Sequence, residues 1–175
     1  VFANSNGWPH PEHKMSVKDL AILANRIVAD FPEYYKMFAE ETFEFDGRAA
    51  ANTRNRNPLL GLGIGADGLK TGHTSEAGYG LVGSALQGER RVIFVITGLR
   101  SQSVRADEAE AIVNWAFRQF TEKKYGRKND VIGLAPVWNG ASPQVGLALA
   151  EDLNLLVPVF DGDDINFNAE IKTPI

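Results

Sequence analysis

The first regular pattern in the chain predicts an amphipathic helix. Ser16 can accept hydrogen bonds from the first backbone N–H groups of that helix, and Asp19, three residues later, stands where a capping box has its acid. The helix is expected to end at Phe31, because a residue that precedes proline avoids helical backbone angles. A short second helix is predicted from Pro32 onward. The predicted buried face of the first helix consists of Leu20, Leu23, Ala24, Ile27 and Val28.

Strand patterns follow the two helices. Alternation in residues 41–55 predicts a hairpin that turns at residues 46–47. The segment IGADGLKTG predicts a strand of weak β composition, and two stronger strands are predicted on either side of a turn at residues 87–90. The second of these, RVIFVITG, is apolar and β-branched, which favours a central place in the sheet. Both are expected to lie antiparallel beside the strand that carries Lys70, and that strand is expected to border a cleft.

A second long helix is predicted over residues 103–120, with acidic side chains in its first turn, where the helix dipole favours them. The charged residues 121–130 are interpreted as a linker, and the later segments are short, strand-like and without helical period. The pattern therefore predicts an α+β domain over residues 1–124 and part of an all-β module over residues 125–175. The predicted buried face of this helix consists of Ala109, Ile112, Val113, Ala116, Phe117 and Phe120.

The composition is that of an ordinary globular protein. The 175 residues are 44% apolar and 23% charged, and the net charge of -4 argues against an electrostatic nucleic-acid binder, which needs a basic face. The absence of cysteine excludes disulfides, thiol nucleophiles and cysteine metal sites. Trp8, Trp115 and Trp138 are interpreted as packing residues. The sequence begins without Met or a leader pattern, so either a leader has been removed or the chain is a fragment.

The glycine-rich stretch before residue 75 has three alternative interpretations. Residues 63–68 match the dinucleotide fingerprint G-x-G-x-x-G, but the glycines that follow disfavour the helix that this fingerprint requires. A phosphate-binding loop needs Gly-Lys-Thr in succession, and Leu69 interrupts it. The third interpretation places Lys70-Thr71-Gly72 on a strand at an active-site edge, as in serine penicillin-binding proteins and class A β-lactamases.

The segments around this tripeptide make the third interpretation specific. In chain order they are NSNGWP, HKMSVKDLAILANRIVADFPEYYKMF, NTRNRNPLL, ADGLKTGHTSEAGYGLVGSA and RRVIFVITGLRSQSVRADEAEAIVNWAF. Together they closely resemble the low-molecular-mass D-alanyl-D-alanine carboxypeptidases, which are penicillin-binding proteins that trim peptidoglycan stem peptides. The tail from Val131 resembles the start of that family's C-terminal β domain. The resemblance implies part of a transpeptidase-like domain (penicillin-binding-protein/β-lactamase-like), with an antiparallel sheet and covering helices over residues 1–124, then part of a small all-β domain.

The resemblance implies a role for each residue of the Lys-Thr-Gly strand. Lys70 matches the lysine beside the serine of the family's S-x-N motif, and the backbone N–H of His73 matches half of the oxyanion hole. Thr71 matches the residue that binds the terminal carboxylate of D-Ala-D-Ala or of a β-lactam. Gly72 leaves room for the substrate, and Thr74 is assigned to substrate binding.

Arg105 matches a family arginine that attracts the substrate carboxylate, a task that suits the fixed fork of guanidinium donors. Simpler alternatives stay open for several of these residues. Arg105 could instead pair with Asp107 or Glu108. His73 could be an exposed turn residue, and Thr71 could be an ordinary strand threonine.

Two motifs of the family are missing from this sequence. No serine is followed by lysine three residues later, and no serine precedes an asparagine by two, so S-x-x-K and S-x-N are both absent. The chain alone is therefore expected to be inactive, because it cannot form the acyl-enzyme. Either it is one part of a split or cleaved enzyme, completed by an N-terminal chain that carries the serine, or it is a truncated form of a longer protein.

Three functions remain open: part of a serine D-Ala-D-Ala carboxypeptidase; a β-lactamase relative, against which the β-rich tail argues; and a non-catalytic module that binds peptidoglycan or a partner protein. The expected ligands are stem peptides that end in D-Ala-D-Ala, and β-lactams. The resemblance implies a periplasmic or extracytoplasmic location, with any membrane association through a segment outside this sequence. No cofactor is implied, and His10 and His13 are interpreted as surface loop residues because neither has a partner at metal-ligand spacing.

Overall fold

A computed structural model describes residues 2–45, 52–160, 167 and 170 of the chain. The chain forms two compact units, Val1–Ala116 and Phe117–Ile175. The division falls inside the second long helix, earlier than the change of pattern that the sequence places at residue 125.

The first unit mixes helices with an antiparallel sheet. In chain order its described elements are α1 (Val17–Asp30), α2 (Pro32–Tyr35), a 3₁₀ helix (Lys36–Ala39), β1 (Ala66–Thr74), β2 (Gly78–Gln87), β3 (Arg90–Leu99) and α3 (Gln102–Gln119), whose last residues belong to the second unit. The described elements of the second unit are β4 (Phe120–Gly126), β5 (Val131–Pro136), β6 (Gln144–Ala148) and β7 (Leu153–Pro158). The α+β class expected from the sequence is confirmed.

Helix α1 begins as its capping residues predict. The Ser16 hydroxyl oxygen accepts a hydrogen bond from the Asp19 backbone N–H at 3.1 Å, and the Ser16 backbone N–H donates to the Asp19 carboxylate at 3.3 Å, which completes the capping box. The helix ends before Phe31, whose φ of -134° lies outside the helical region, as the following proline requires. On the predicted buried face, Ala24 is 2% exposed, but Leu23 is 42% exposed and the prediction is wrong there.

The described strands of the first unit form one sheet in the order β1–β2–β3. The prediction that RVIFVITG is central and lies beside the Lys70 strand is wrong, because this segment is β3, at the edge, and pairs with β2. Its apolar residues serve a different contact, since α1 packs against β3. The central β2 is rich in small residues that admit large neighbours. A Cβ added at Gly83, for instance, would overlap the ring of its cross-strand partner Phe94.

The core of this unit ties α1 and α2 to the sheet. Ala24, Tyr35 and Leu69 are buried together. Partly buried apolar side chains surround them, namely Ile27, Val28, Phe38, Val82 and Ile93. Apolar burial of this kind stabilises by roughly 25 cal/mol for each Å² removed from water. Because Leu69 directly precedes Lys70, this core fixes β1 where the sequence predicts the site.

The predicted hairpin after α2 is seen at its base. Thr42 and Arg54 form an antiparallel bridge, and the Phe43 backbone N–H donates to the Thr53 carbonyl oxygen at 2.8 Å. The turn that the sequence predicts at residues 46–47 lies outside the described residues.

Helix α3 buries much of its predicted face. Ala109 and Val113 are 0% exposed, and Ala116 is 8% exposed. The assignment of Phe120 to this helix is wrong, because Phe120 begins β4. Arg105 lies on the same face, one turn before Ala109, and is only 5% exposed. An apolar pattern cannot predict a buried arginine.

In the second unit, the predicted linker is wrong. Most of it forms β4, which pairs antiparallel with β7, and Lys124 forms an ion pair with Asp152 of the segment before β7. Strands β5 and β6 form a separate antiparallel pair. A two-stranded ribbon needs few apolar residues. The charged composition of β4 therefore gives no strand signal in the sequence. The strand-like segment predicted in residues 165–175 falls almost wholly outside the described residues.

Large aromatic side chains remain exposed in both units. The exposed fraction is 73% for Trp8, 56% for Trp115 and 73% for Trp138, so their interpretation as packing residues is wrong within the described structure. None of the described helices combines the length and the apolar character that crossing a lipid bilayer requires.

Candidate active site

Lys70, Thr71 and Gly72 lie on β1, which is one of the two edge strands of the described sheet. Burial alternates along them, since Lys70 and Gly72 are exposed and Thr71 is only 9% exposed. An open groove of about 350 Å³ runs beside the strand. Its lining comes from the 3₁₀ helix, the loop before β1 and β1 itself, and consists of Met37, Phe38, Asn52, Asn55, Arg56, Leu69, Lys70 and Thr71.

Two asparagines hold the loop wall of this groove in place. The Asn57 side-chain amide donates a hydrogen bond to the Gly68 carbonyl oxygen at 2.9 Å. The Asn55 amide donates to the carbonyl oxygens of Phe38 and Glu40 at 3.2 and 3.0 Å. Asn57 is 5% exposed, so its hydrogen bonds are shielded from water. The loop is thereby fixed against β1 on one side and against the 3₁₀ helix on the other.

Lys70 lies at the rim of the groove. Its ammonium group donates a hydrogen bond to the Thr71 carbonyl oxygen. The residue as a whole is exposed, but its ammonium end is partly buried. That burial lowers the pKa of Lys70 below the ordinary lysine value, and the positive charges of Arg56 and Arg105 lower it further. Lys70 therefore gives up its proton more readily than an ordinary surface lysine, which suits a group that exchanges protons with a nucleophile.

Arg105 is buried near the start of α3 with part of its guanidinium unused. Its Nη2 donates to the Arg56 carbonyl oxygen at 3.4 Å, and its Cζ lies 5.9 Å from the centre of the Tyr79 ring. Its Nε has no hydrogen-bond partner among the described residues. Burial lowers the pKa of the Arg105 guanidinium. The alternative pairing with Asp107 or Glu108 is not formed within the described residues. A buried donor without a partner is the kind of group that a ligand can satisfy.

Arg56 is a residue of this site that the sequence interpretation missed. It lines the groove beside Lys70 and Thr71, and its Nη2 donates to Asn52 Oδ1 at 2.7 Å. Its positive charge acts on Lys70 together with that of Arg105. Arg56 lies in the segment NTRNRNPLL, which is one of those that carry the family resemblance. Arg105 lies far away in the sequence, on α3, so no spacing rule predicts that the two arginines come together.

The arrangement suits a small anion. Arg56, Lys70 and Arg105 form a cationic cluster, and no carboxylate in the described part of the chain pairs with any of them. Thr71 adds a hydroxyl group that is shielded from water. A carboxylate bound here would receive charge-assisted hydrogen bonds, which are roughly twice as strong as neutral ones. Within the same described residues, no group of three metal-binding side chains comes together.

The residues after Lys70 and Thr71 lead into the β1–β2 turn. A Cβ added at Gly72 would meet no heavy atom of the described residues within 4 Å, so packing within this part of the chain does not require glycine there. The exposed His73 ring lies against Tyr79, with 4.0 Å between the ring centres. Thr74 Oγ1 accepts a hydrogen bond from the Ala77 backbone N–H at 2.9 Å and thus helps to close the turn. Tyr79, which the sequence interpretation also missed, lies between His73 and Arg105.

Comparison with known sequences identifies relatives along most of the chain. The sequence profile of the D-alanyl-D-alanine carboxypeptidases matches residues 1–101. The chain is 33% identical over 158 residues to D-alanyl-D-alanine carboxypeptidase DacD of Escherichia coli strain K12, a match that covers 90% of this chain and 40% of the relative. It is 34% identical over 158 residues to DacA of the same strain, covering 90% of this chain and 38% of DacA. The chain therefore spans about two fifths of the length of these curated relatives.

Solved structures share the fold described above. Penicillin-binding protein 5 from Haemophilus influenzae matches with a TM-score of 0.74 and 34% identity, over 88% of this chain and 44% of that protein. The carboxypeptidase DacD from Francisella tularensis matches with a TM-score of 0.71 and 25% identity, over 98% of this chain and 56% of that protein. The profile match covers more than half of the chain and includes the Lys-Thr-Gly strand, so the chain belongs to the D-alanyl-D-alanine carboxypeptidase family of low-molecular-mass penicillin-binding proteins.

Proposed function

We propose that this chain is the part of a serine D-Ala-D-Ala carboxypeptidase that carries the Lys-Thr-Gly wall of the active site. The complete enzyme removes the terminal D-Ala from peptidoglycan stem peptides through an acyl-enzyme and is acylated by β-lactams. The activity belongs to the complete enzyme, since this chain spans about two fifths of the relatives it matches and contains neither S-x-x-K nor S-x-N.

One observation carries the proposal: Arg56, Lys70 and Arg105 form a cationic cluster beside the buried Thr71 of β1. The cluster lacks a negative charge within the described residues, and the C-terminal carboxylate of a D-Ala-D-Ala peptide supplies one. A β-lactam presents a carboxylate in a comparable place. We therefore assign Thr71 and Arg105 to binding that carboxylate, and Arg56 to the same positive field.

The remaining assignments concern the bond that reacts. The serine oxygen attacks the carbonyl carbon of the penultimate D-Ala, the amide bond breaks, the terminal D-Ala leaves with a proton, and water then hydrolyses the ester. We assign Lys70 to proton exchange with the serine motifs and the backbone N–H of His73 to stabilising the oxyanion. We assign Gly72 to the close approach of the substrate backbone to β1, because a Cβ built there would have no described heavy atom within 4 Å. We also assign Thr74, whose side-chain oxygen accepts a hydrogen bond from the Ala77 backbone N–H in the turn, to substrate binding.

The nucleophile has to come from an N-terminal part of the enzyme. We propose that this part is either joined to the present chain in a longer protein or supplied as a separate complementing chain. A carboxypeptidase of this kind acts on peptidoglycan, so we also propose that the protein works in the periplasm or another extracytoplasmic compartment. Membrane attachment would then depend on a segment outside the 175 residues.

β-Lactam binding is proposed on a related basis. Penicillin-binding protein D2 from Listeria monocytogenes is 31% identical to the matched part of this chain, with a TM-score of 0.55, and has been solved in a cefotaxime-bound form. An ampicillin-bound form of the same protein is also known. Both antibiotics carry the carboxylate that the cationic cluster is suited to bind.

The test requires a completed protein. The chain is fused behind the part of Haemophilus influenzae penicillin-binding protein 5 that precedes the matched region, and the fusion is incubated with a fluorescent penicillin. We expect a stable label on the serine of S-x-x-K, located by mass spectrometry, and release of D-Ala from a peptide that ends in D-Ala-D-Ala. The matched control carries alanine in place of that serine and should take no label. A folded fusion that neither takes the label nor releases D-Ala would contradict the proposal.

A second function is favoured by one specific observation, the absence of S-x-x-K and S-x-N from this sequence. On its own the chain would then bind peptidoglycan or a partner protein without turnover. That alternative predicts binding of D-Ala-D-Ala peptides by the isolated chain and no activity in the fusion. The β-lactamase alternative instead predicts rapid hydrolysis of the penicillin, without a lasting label.

A further inference from the structure

Strand β1 changes its register just before Lys70. Ala66 is the cross-strand partner of Ala85, but Gly68 is the partner of Ser84, so Asp67 is an extra residue that has no partner on β2. From Gly68 onward the register is constant. Because a shift of one residue moves every side chain to the other face of a strand, this irregularity decides which way the following residues point.

The extra residue is held by side chains from two other elements. The Tyr35 hydroxyl, from α2, donates a hydrogen bond to Asp67 Oδ1 at 2.7 Å. Arg91 Nη1, from β3, donates to the same oxygen at 2.8 Å. Arg91 Nη1 also lies 2.6 Å from Ser84 Oγ on β2 and 3.2 Å from the Tyr35 oxygen. Side chains from α2, β1, β2 and β3 therefore meet in one hydrogen-bonded cluster around Arg91 Nη1.

The surroundings make these contacts effective. Ser84 is 0% exposed and Tyr35 is 6% exposed, while the side chains of Arg91 and Asp67 are 21% and 26% exposed. Hydrogen bonds to a charged group in such a partly buried place are stronger than those at the surface. Burial is the main cause that raises the pKa of Tyr35 to about 12, so its hydroxyl keeps the proton that it donates.

The residue after the irregularity is enclosed as well. A Cβ added at Gly68 would lie 2.7 Å from the Tyr35 hydroxyl oxygen, so any larger residue would push the Tyr35 side chain away from its hydrogen bonds. The Gly68 carbonyl oxygen accepts the hydrogen bond from Asn57, whose loop also carries Arg56. Tyr35, Asp67 and Arg91 thus fix the point at which β1 and the loop wall of the groove are joined.

We propose that Tyr35, Asp67, Ser84 and Arg91 form a positioning cluster that sets the register of β1 and thereby presents Lys70 and Thr71 to the groove. None of the four lines the groove itself. Their effect on catalysis is indirect and rests on the proposed carboxypeptidase function, whereas their effect on the register of β1 does not. A purely structural ion pair would contribute to stability alone.

The register is measured first, on the present chain without any completing part. Nuclear Overhauser contacts between Lys70 and Val82 and between Thr71 and Leu81 report the pairing that the structure shows. We expect Arg91→Met to weaken or replace these contacts and to shift the amide signals of residues 70–73, which lie beyond direct contact with the cluster. Arg91→Lys, which keeps the charge, should restore part of the native pattern.

Tyr35→Phe provides a milder variant in case Arg91→Met fails to fold. It removes one hydroxyl and keeps the ring in the core, and we expect the same amide signals to move in the same direction. Tyr34→Phe is the matched control, since Tyr34 is the neighbouring tyrosine and is 59% exposed. Folded Tyr35→Phe protein with native register contacts and unshifted amide signals for residues 70–73 would overturn the proposal.

The catalytic consequence is measured in the completed fusion. We expect Tyr35→Phe to slow acylation by a fluorescent penicillin roughly threefold to tenfold, about the effect of one lost hydrogen bond. The pH profile of acylation should shift as well, because Lys70 changes its surroundings. Asp30→Asn is the control, since it breaks an exposed ion pair with Arg26 on α1. Loss of thermal stability with an unchanged acylation rate and pH profile would assign the cluster a structural role and overturn the proposal.

The two proposals fail in different ways. If the unmodified fusion takes no label, the carboxypeptidase function fails, but the register contacts of the isolated chain can still move in the variants. The other case is a fusion that is acylated normally. If Tyr35→Phe and Arg91→Met then change neither the register contacts nor the acylation rates, only the proposal of a positioning cluster is overturned.

Discussion

Partial burial and neighbouring charges of its own sign together lower the pKa of Lys70. Partial burial of its ammonium group and the charges of Arg56 and Arg105 all disfavour the protonated form. Since the pKa of Lys70 in the folded chain lies below that in the unfolded chain, the unfolded chain holds more protons between the two pKa values. The contribution of Lys70 to stability therefore rises with pH through that window.

Replacing Arg56 should raise the pKa of Lys70 part of the way back to the ordinary lysine value. Arg56→Gln removes one neighbouring charge but not the burial, which is the larger cause, so the pKa of Lys70 should rise without reaching the value of an exposed lysine. The measurement is an NMR titration of ¹³C-methylated lysines, with the Lys70 signal assigned from Lys70→Arg. Arg26→Gln, on the exposed side of α1, serves as the control. A pKa that stays unchanged in Arg56→Gln would show that Arg56 does not act on Lys70.

Thr71 and Arg105 should act on the same substrate carboxylate. A hydrogen bond to a charged group is worth about 1.5–3 kcal/mol, so Thr71→Val and Arg105→Ala should each slow acylation roughly tenfold to a hundredfold in the completed fusion. The double variant should lose less than the product of the two, because the residues share a target.

The control for this pair is a peptide substrate with an amidated C-terminus, on which each change should matter less. Arg105→Ala also empties a buried site, so its thermal stability has to be measured in parallel. Equal slowing of both substrates by Arg105→Ala would make Arg105 a structural arginine.

The sequence predicts the residues of the strand and, through the family resemblance alone, Arg105 on α3, but not the other residues that meet the strand from elsewhere. Lys70 and Thr71 were found because they are adjacent and belong to a known motif. Arg56 and Tyr79 reach the site only through the fold, the former through a loop anchored by Asn57 and the latter through pairing of β2 with β1. Local patterns contain no information about such tertiary contacts.

At the scale of elements, the existence of helices and strands in the first unit followed from the sequence, whereas their order in the sheet did not. RVIFVITG was expected at the centre because strongly apolar strands are commonly buried on both faces. In the structure its apolar side packs against α1, and the centre is occupied by β2, whose small residues leave space for its neighbours. The apolar composition of a strand therefore reveals neither its place in the sheet nor the element that covers it, since the described β3 has no buried residue and β2 has several.

Substitutions at two glycines of the sheet distinguish an effect on packing, at Gly83, from an effect on substrate binding, at Gly72. At Gly83 an added Cβ would overlap the Phe94 ring, so Gly83→Ala should destabilise the chain by about 1–3 kcal/mol, the usual cost of overpacking. At Gly72 the space is open, so Gly72→Ala should leave the melting temperature nearly unchanged. In the completed fusion, however, Gly72→Ala should slow acylation, because the new methyl group stands where the substrate backbone is proposed to lie.

Thermal denaturation of both variants and acylation of Gly72→Ala provide the measurements. Acylation of Gly72→Ala at the native rate would show that the substrate does not approach β1 at this residue. A native melting temperature for Gly83→Ala would show that the Phe94 ring can move aside.

The whole molecule divides into two compact units, and the charged segment near their junction differs from the linker that the sequence predicts. The sequence places a charged linker where the structure has β4, and the division of the chain falls within α3. The turn after β4 is also ordered, since the Arg127 and Lys128 backbone N–H groups donate to the carboxylates of Asp130 and Asp152 at 2.7 and 2.9 Å. The charged composition of this segment suggests a linker, but the structure shows that several of its polar groups have hydrogen-bond partners.

Limited digestion of the native chain with chymotrypsin distinguishes a paired strand from a linker. Tyr125 lies in β4, is only partly exposed, and its ring packs against Phe167 with 5.1 Å between the ring centres. Trp138 lies in the loop between β5 and β6 and is 73% exposed. A protease needs an unpaired, extended segment, so cleavage after Tyr125 requires β4 to leave β7, whereas cleavage after Trp138 needs only local movement. We therefore expect cleavage after Trp138 to be roughly tenfold faster or more, measured by mass spectrometry of the early fragments. Trp138→Ala should remove that cut without exposing Tyr125, and faster cleavage after Tyr125 than after Trp138 would restore the linker interpretation.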